Sequence, residues 1–173
     1  MAVFVALLRA VNVGGTGRLL MSDLRDLCAA CGFENAQTFI QSGNVVFRSA
    51  LREASVKARL EKALAARSGK PVAVLVRSAG ELAAVARKSP FSGAVPSKVV
   101  VYFLNDAPER GILEAIEIPG REELELRGRE LFVHYPDGIG RSKLKLPLAQ
   151  AGTGRNLATV RKLAALAEAL DRE

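Results

Sequence analysis

Between Val3 and Val76 the chain switches repeatedly between apolar runs of strand length and segments whose apolar residues recur at helical spacing. Few folds accommodate the order that results. Val3 to Leu8 is apolar throughout, as in a strand buried on both faces. A polar glycine loop, Asn12-Val-Gly-Gly-Thr-Gly-Arg18, leads from it to a helix expected from Ser22 to Cys31. Ala36 to Ile40 and Val45 to Arg48 read as short strands flanking Gln41-Ser-Gly-Asn44, a hairpin signal. Val56, Leu60, Ala63 and Leu64 then mark a helical face, and Pro71 to Val76 is another apolar strand. The order β-α-β-β-α-β is that of the split βαβ, or ferredoxin-like, unit, and it closes by about residue 77.

A related order follows. Ser78-Ala-Gly-Glu81 is a capping box that opens a helix, and Ser89-Pro90 ends it. A strand is expected from Lys98 to Leu104, and a helix from Asp106 through Ile116. Leu124 to Arg127 and Leu131 to Tyr135 form a hairpin around Gly128, and a last helix starts near Asn156. The expected class is therefore α+β: tandem ferredoxin-like halves, 1–78 and 79–173, with antiparallel or mixed sheets and helices on one face. The second half carries a basic C-terminal segment, and the halves pack either separately or as one compact domain.

With 49% hydrophobic residues among 173, disorder is excluded, and a net charge of +7 favours an acidic partner such as nucleic acid or a nucleotide. Ala2 to Leu8 is too short to span a membrane and lacks a secretion signal's basic lead and cleavage site, so no membrane and a cytoplasmic location are expected. Cys28 and Cys31 form a C-x-x-C, but Leu24, Leu27, Cys28 and Cys31 fall on one helical face near its C-terminal end. A reactive thiol pair wants the opposite end, where the dipole lowers thiol pKa, and no second ligand pair serves zinc. Core packing is the expectation.

Positive charge concentrates near the C-terminus. From Gly138 to Ala167 lie Arg141, Lys143, Lys145, Arg155, Arg161 and Lys162 with no acid, together with Gly140-Arg-Ser-Lys143 and Gly152-Thr-Gly-Arg-Asn156. Glycine turns and helix starts offer backbone N–H groups to phosphates, and neighbouring Arg and Lys add charge. Residues 105–130, with eight acids and four bases, could instead neutralise this segment. Catalytic templates fit less well. Gly14, Gly15 and Gly17 make neither a dinucleotide fingerprint nor a Walker loop, and the sole histidine, His134, sits between Val133 and Tyr135 in an expected strand. No carboxylate cluster points to a metal, and no organic cofactor is indicated. With 5% aromatics and no Trp, base stacking has little to work with.

The runs Phe4-Val-Ala-Leu-Leu-Arg-Ala-Val-Asn-Val-Gly-Gly15, Met21-Ser-Asp-Leu-Arg25, Cys31-Gly-Phe33, Thr38-Phe-Ile-Gln-Ser-Gly-Asn-Val-Val-Phe47, Asp137-Gly-Ile-Gly-Arg-Ser-Lys-Leu144 and Gly152-Thr-Gly-Arg-Asn156 together resemble the bacterial family of domain of unknown function 1697. The resemblance implies a duplicated ferredoxin-like architecture and brings no established activity. Three positions depart from the family pattern: Ala10 replaces a glycine, the first base after the paired glycines is Arg18, and Leu157-Ala158 stands where Trp-Asn is usual.

The leading expectation is a site for a phosphate-bearing or other anionic ligand, a nucleotide or nucleic acid. It is built from Asn12, Gly14, Gly15, Arg18, Ser42, Asn44, Arg141, Ser142, Lys143, Thr153, Arg155 and Asn156. The alternatives are an enzyme on a phosphorylated small molecule, with Lys143 or Ser142 in the chemistry, and a non-catalytic structural or protein-interaction module. Ligand identity and oligomeric state are not written in the sequence.

Overall fold

The computed structural model describes residues 1–9, 19–40, 43–109 and 111–173. It is an α+β structure with two four-stranded antiparallel sheets and, among the described residues, four α-helices. Its contacts define two compact units. One comprises Met1–Ala84 and Lys162–Glu173, the other Val85–Arg161.

In the first unit β1 (Ala2–Leu8), β2 (Glu34–Thr38), β3 (Asn44–Ser49) and β4 (Val74–Ser78) lie in the order β2-β3-β1-β4. Every neighbouring pair is antiparallel, with Val5 opposite both Val46 and Arg77. The fully apolar β1 is central and buried on both faces, as such a run requires. Helices α1 (Met21–Ala30) and α2 (Glu53–Ser68) contribute Leu24, Cys28, Val56, Leu60 and Leu64 to one core with Phe4, Phe47 and Val76. Phe33 stacks on Phe47 with ring centroids 4.4 Å apart. Cys28 and Cys31 are buried free thiols, and Cys31 Sγ donates to the Arg59 carbonyl at 3.8 Å. Burial, reinforced by neighbouring Cys31, pushes the Cys28 thiol up to about 12, away from nucleophilic character at neutral pH.

Side chains finish the unit's margins. Lys57 donates to the Val74 carbonyl at 2.7 Å while Glu61 accepts from the Val74 N–H at 2.9 Å, so α2 covers backbone groups of an outermost strand. Arg48 of β3 donates to the carbonyls of Leu170 and, at 2.9 Å, Glu173, near the end of α4 (Leu157–Asp171). A guanidinium is the natural partner for carbonyls left over at a helix C-terminus.

The expected capping box forms: Glu81 N–H donates to Ser78 Oγ at 3.2 Å, and Ser78 N–H to Glu81 Oε1 at 2.9 Å, opening α3 (Ala79–Arg87). The second sheet contains β5 (Val99–Phe103), β6 (Glu123–Arg127), β7 (Glu130–His134) and β8 (Thr153–Asn156) in the order β6-β7-β5-β8, again antiparallel throughout. Position for position this repeats the first sheet's order.

One expectation is corrected. The helix from Asp106 through Ile116 does not form; among the described residues only a four-residue 3-10 turn, Ile112–Ala115, appears. Gly111 takes φ +85° and Ile116 is already extended, so three isoleucines and Pro119 follow a break rather than a helix. The last helix starts where expected, α4 beginning at Leu157 directly after Asn156, and the four residues before it, Thr153–Asn156, form the strand β8.

Candidate functional site

The second unit shows why Gly152-Thr-Gly-Arg-Asn156 has its composition. Gly154 lies opposite Tyr102 of β5, and a Cβ there would come within 2.8 Å of the Tyr102 ring. A Cβ on Gly152 would stand 2.0 Å from the Phe103 carbonyl oxygen. Both glycines therefore serve close approach of β8 to β5. Thr153 and Arg155 are buried; Arg155 donates to Thr153 Oγ1 at 2.8 Å and to the Gly154 carbonyl at 2.9 Å. Burial pushes the Arg155 guanidinium down to about 10, leaving it charged at neutral pH. Asn156 Oδ1 accepts from the Thr159 N–H at 2.8 Å and caps α4.

A different pattern holds from Arg141 onward. Arg141, Lys143 and Lys145 are exposed, whereas Ser142, Leu144, Leu146 and Leu148 between and beyond them are partly buried. Leu144, Leu146 and Leu148 pack on the core of Val100, Leu131, Val133 and Tyr135. Inward leucines thus turn the intervening bases outward at period two. Arg141 closes the short 3-10 turn Ile139–Arg141 and the backbone becomes extended at Ser142; extended chain rises about 3.3 Å per residue, a spacing of roughly 6.6 Å for alternate side chains such as Lys143 and Lys145. None of the three cationic side chains forms an ion pair or hydrogen bond with a described residue.

The acids beside this row are otherwise engaged. Asp137 pairs with Arg121, whose hydrogen bond holds the Asp137 carboxyl below its ordinary range, helped by the charges of Lys98 and Arg141. Glu122 accepts from Ser142 Oγ at 2.8 Å and from the Gly120 N–H at 3.0 Å; the Ser142 bond is the main reason its carboxyl also lies low. Tyr102 and Tyr135 share a hydroxyl hydrogen bond of 2.8 Å, and burial raises both phenols. Glu122, Asp137, Gly138, Arg141, Ser142 and Lys143 line a recess of about 160 Å³. That is room for one small anionic group, below the span of about 300 to 1,000 Å³ usual for whole ligands.

The lowered carboxyls predict a pH dependence. A carboxylate whose folded pKa is depressed contributes stability that is full above its unfolded value of about 4 and disappears as pH falls through the folded value. Asp137→Asn and Glu122→Gln should lower the urea midpoint slightly at neutral pH and flatten its fall on acidification. Urea titrations across the acid range check this, and coincident acid limbs for wild type and both variants would remove the linkage.

Of the expected site residues, Arg141, Ser142 and Lys143 come together at the recess, while Thr153, Arg155 and Asn156 of the same unit serve β8 and α4. Asn44 belongs to the first unit, where it is buried and donates to the Phe39 carbonyl at 2.9 Å. Asn12, Gly14, Gly15, Arg18 and Ser42 lie outside the described residues. Lys145 completes the exposed row, and the alternation of bases with Ser142, Leu144 and Leu146 was its available signal. Glu122 and Asp137 carried none, since carboxylates near a turn are ordinary. Among the described residues no group of three His, Cys, Asp or Glu is placed to hold a metal ion, and no helix is long and apolar enough to cross a membrane. His134 Nδ1 stands 3.4 Å from Glu123 Oε1, its cross-strand neighbour.

Comparison with known proteins identifies a family and a structural neighbour. The profile of a family described as protein of unknown function (DUF1697) matches residues 1–132, ending within β7 before Arg141. A solved structure of a conserved bacterial protein from Streptococcus pneumoniae is similar at TM-score 0.77 and 22% identity, covering 96% of this chain and 98% of that one. At that identity the likeness concerns the fold. Among curated proteins none matches significantly.

Proposed function

The chain belongs to this DUF1697 family, and we propose that this member binds a phosphate-bearing polyanion, with single-stranded nucleic acid the best fit, along the edge formed by Arg141, Lys143 and Lys145. The carrying observation is that these three cations are exposed, alternate with half-buried side chains from the end of the Ile139–Arg141 turn onward and lack ion-pair partners among the described residues. Such a row suits successive phosphates better than one enclosed group, and the recess beside it is too small for a nucleotide. Ser142 helps fix the turn through Glu122 and through the Leu144 N–H, which donates to its Oγ at 3.1 Å. Asn12, Gly14, Gly15, Arg18, Ser42 and Asn44 remain further candidates on their sequence alone. The tandem ferredoxin-like description belongs to the same reading, supported by the shared strand order, as does a cytoplasmic location, supported by the free thiols.

A phosphorylated small molecule as enzyme substrate is less well supported. Ser142 would be the nucleophile and Glu122 its base, but a carboxyl held below its ordinary range is a weak base at neutral pH.

Titrating labelled oligonucleotides of increasing length against the full chain, at several salt concentrations, tests the proposal. Affinity should rise with length until the row is covered and fall with salt at a log–log slope of about −2 for three single-strand phosphate contacts. Affinity independent of length, or no binding at low salt, would defeat it and leave the structural module.

A further inference from the structure

In the first unit α1 joins β1 to β2 and α2 joins β3 to β4; among the described residues the corresponding connections of the second unit, 104–122 and 135–152, carry only short 3-10 turns. Between these two connections lies a groove of about 660 Å³. Ile112, Ile116 and Ile118 line it from the first connection and Leu148 from the second, with Lys143, Lys145 and the acid Glu117 also at its wall. Its volume is that of a small-molecule site. Among the described residues its lining has no aromatic ring and no neutral side chain that hydrogen-bonds, so it offers a nucleobase or sugar neither stacking nor edge recognition. An alkyl chain asks only for apolar contact. Ile118 is 49% exposed, an apolar surface left to water when the groove is empty. The two lysines have no ion-pair partner among the described residues and outweigh the one glutamate.

The geometry points to a binding site for a monomeric amphiphile, its alkyl chain between the two connections and its carboxylate or phosphate head at Lys143 and Lys145. This site shares the two lysines with the polyanion edge but depends on the isoleucine wall, which that edge does not use.

Titration of the full chain with decanoate, octanoate and decanol below micelle formation, followed by amide NMR shifts of residues 112–119 and 143–148, tests it. Decanoate should bind about tenfold tighter than octanoate, the worth of two buried methylenes. Ile118→Glu and Ala115→Trp, both at exposed positions and so tolerated by the fold, should each weaken decanoate about tenfold or more. The double variant K143A/K145A should weaken decanoate and spare decanol. Affinity that ignores chain length, indifference to both groove variants, or binding seen only with vesicles of anionic lipid overturns the inference. Oligonucleotide titration of the wild-type chain separates the two readings: where oligonucleotide binds and decanoate does not, the groove fails alone; where decanoate binds and oligonucleotide does not, the edge fails alone.

Discussion

Gly152→Ala is expected to destabilise the protein by about 3 kcal/mol or more, the top of the range for inserting an atom into packed structure. The added Cβ would stand 2.0 Å from the Phe103 carbonyl oxygen, 2.9 Å from Leu104 Cδ2 and 3.0 Å from the Phe103 carbonyl carbon. Two of those atoms are backbone of β5, a central strand paired on one side with β7 and on the other with β8. A flexible side chain could swing aside; a central strand cannot. Gly154→Ala should be milder, about 1 to 3 kcal/mol, because its nearest contact is the Tyr102 ring, which can turn by giving up its hydroxyl bond to Tyr135. Urea unfolding of the two variants measures the order. An unchanged midpoint for Gly152→Ala would mean that β8 does not lie against Phe103 as described. Folded Gly152→Ala protein should still bind oligonucleotide like wild type, since the glycine supports β8 and not the basic row.

The triple variant R141A/K143A/K145A should have the opposite signature. Its stability should match wild type within about 0.5 kcal/mol, because all three side chains are exposed and unpaired among the described residues. Its oligonucleotide affinity at low salt should fall on the order of a hundredfold, and the salt slope should shrink by about 2, the share of three released counterions at roughly 0.7 each. Anisotropy titrations at several salt concentrations read both quantities. A slope equal to that of wild type would place any binding elsewhere on the molecule.

The sequence was readable where one physical requirement dominated. Val3 to Leu8 had to be a buried strand, because no other short element takes six consecutive apolar residues. Cys28 and Cys31 announced a core face through their spacing from Leu24 and Leu27. Ser78 and Glu81 announced a helix start because the box is a reciprocal bond set by spacing alone. Legibility failed where partners distant in sequence decided the outcome. Thr153 to Asn156 contains no apolar residue, so nothing local says strand; it pairs because β5 offers a free side and the glycines permit the approach. Asp106 to Ile116 looked helical from its cap, yet Gly111 in the left-handed region interrupts the only turns available. In the candidate site, charge composition located the basic segment. The outward alternation of Arg141, Lys143 and Lys145 needed the leucines' burial to become visible.

The bonds from Arg48 to the end of α4 join residues 122 positions apart, and they have a consequence in time. At a synthesis rate of about 5 to 20 residues per second, roughly 6 to 24 s separate the emergence of Arg48 from that of Leu170. During that interval β1, β2, β3 and β4 can pair, but the helical turns counted with the first unit do not yet exist. The nascent chain therefore holds a paired sheet whose Arg48 still lacks its α4 carbonyls while the whole second unit is made. That is the window in which a chaperone would find its substrate.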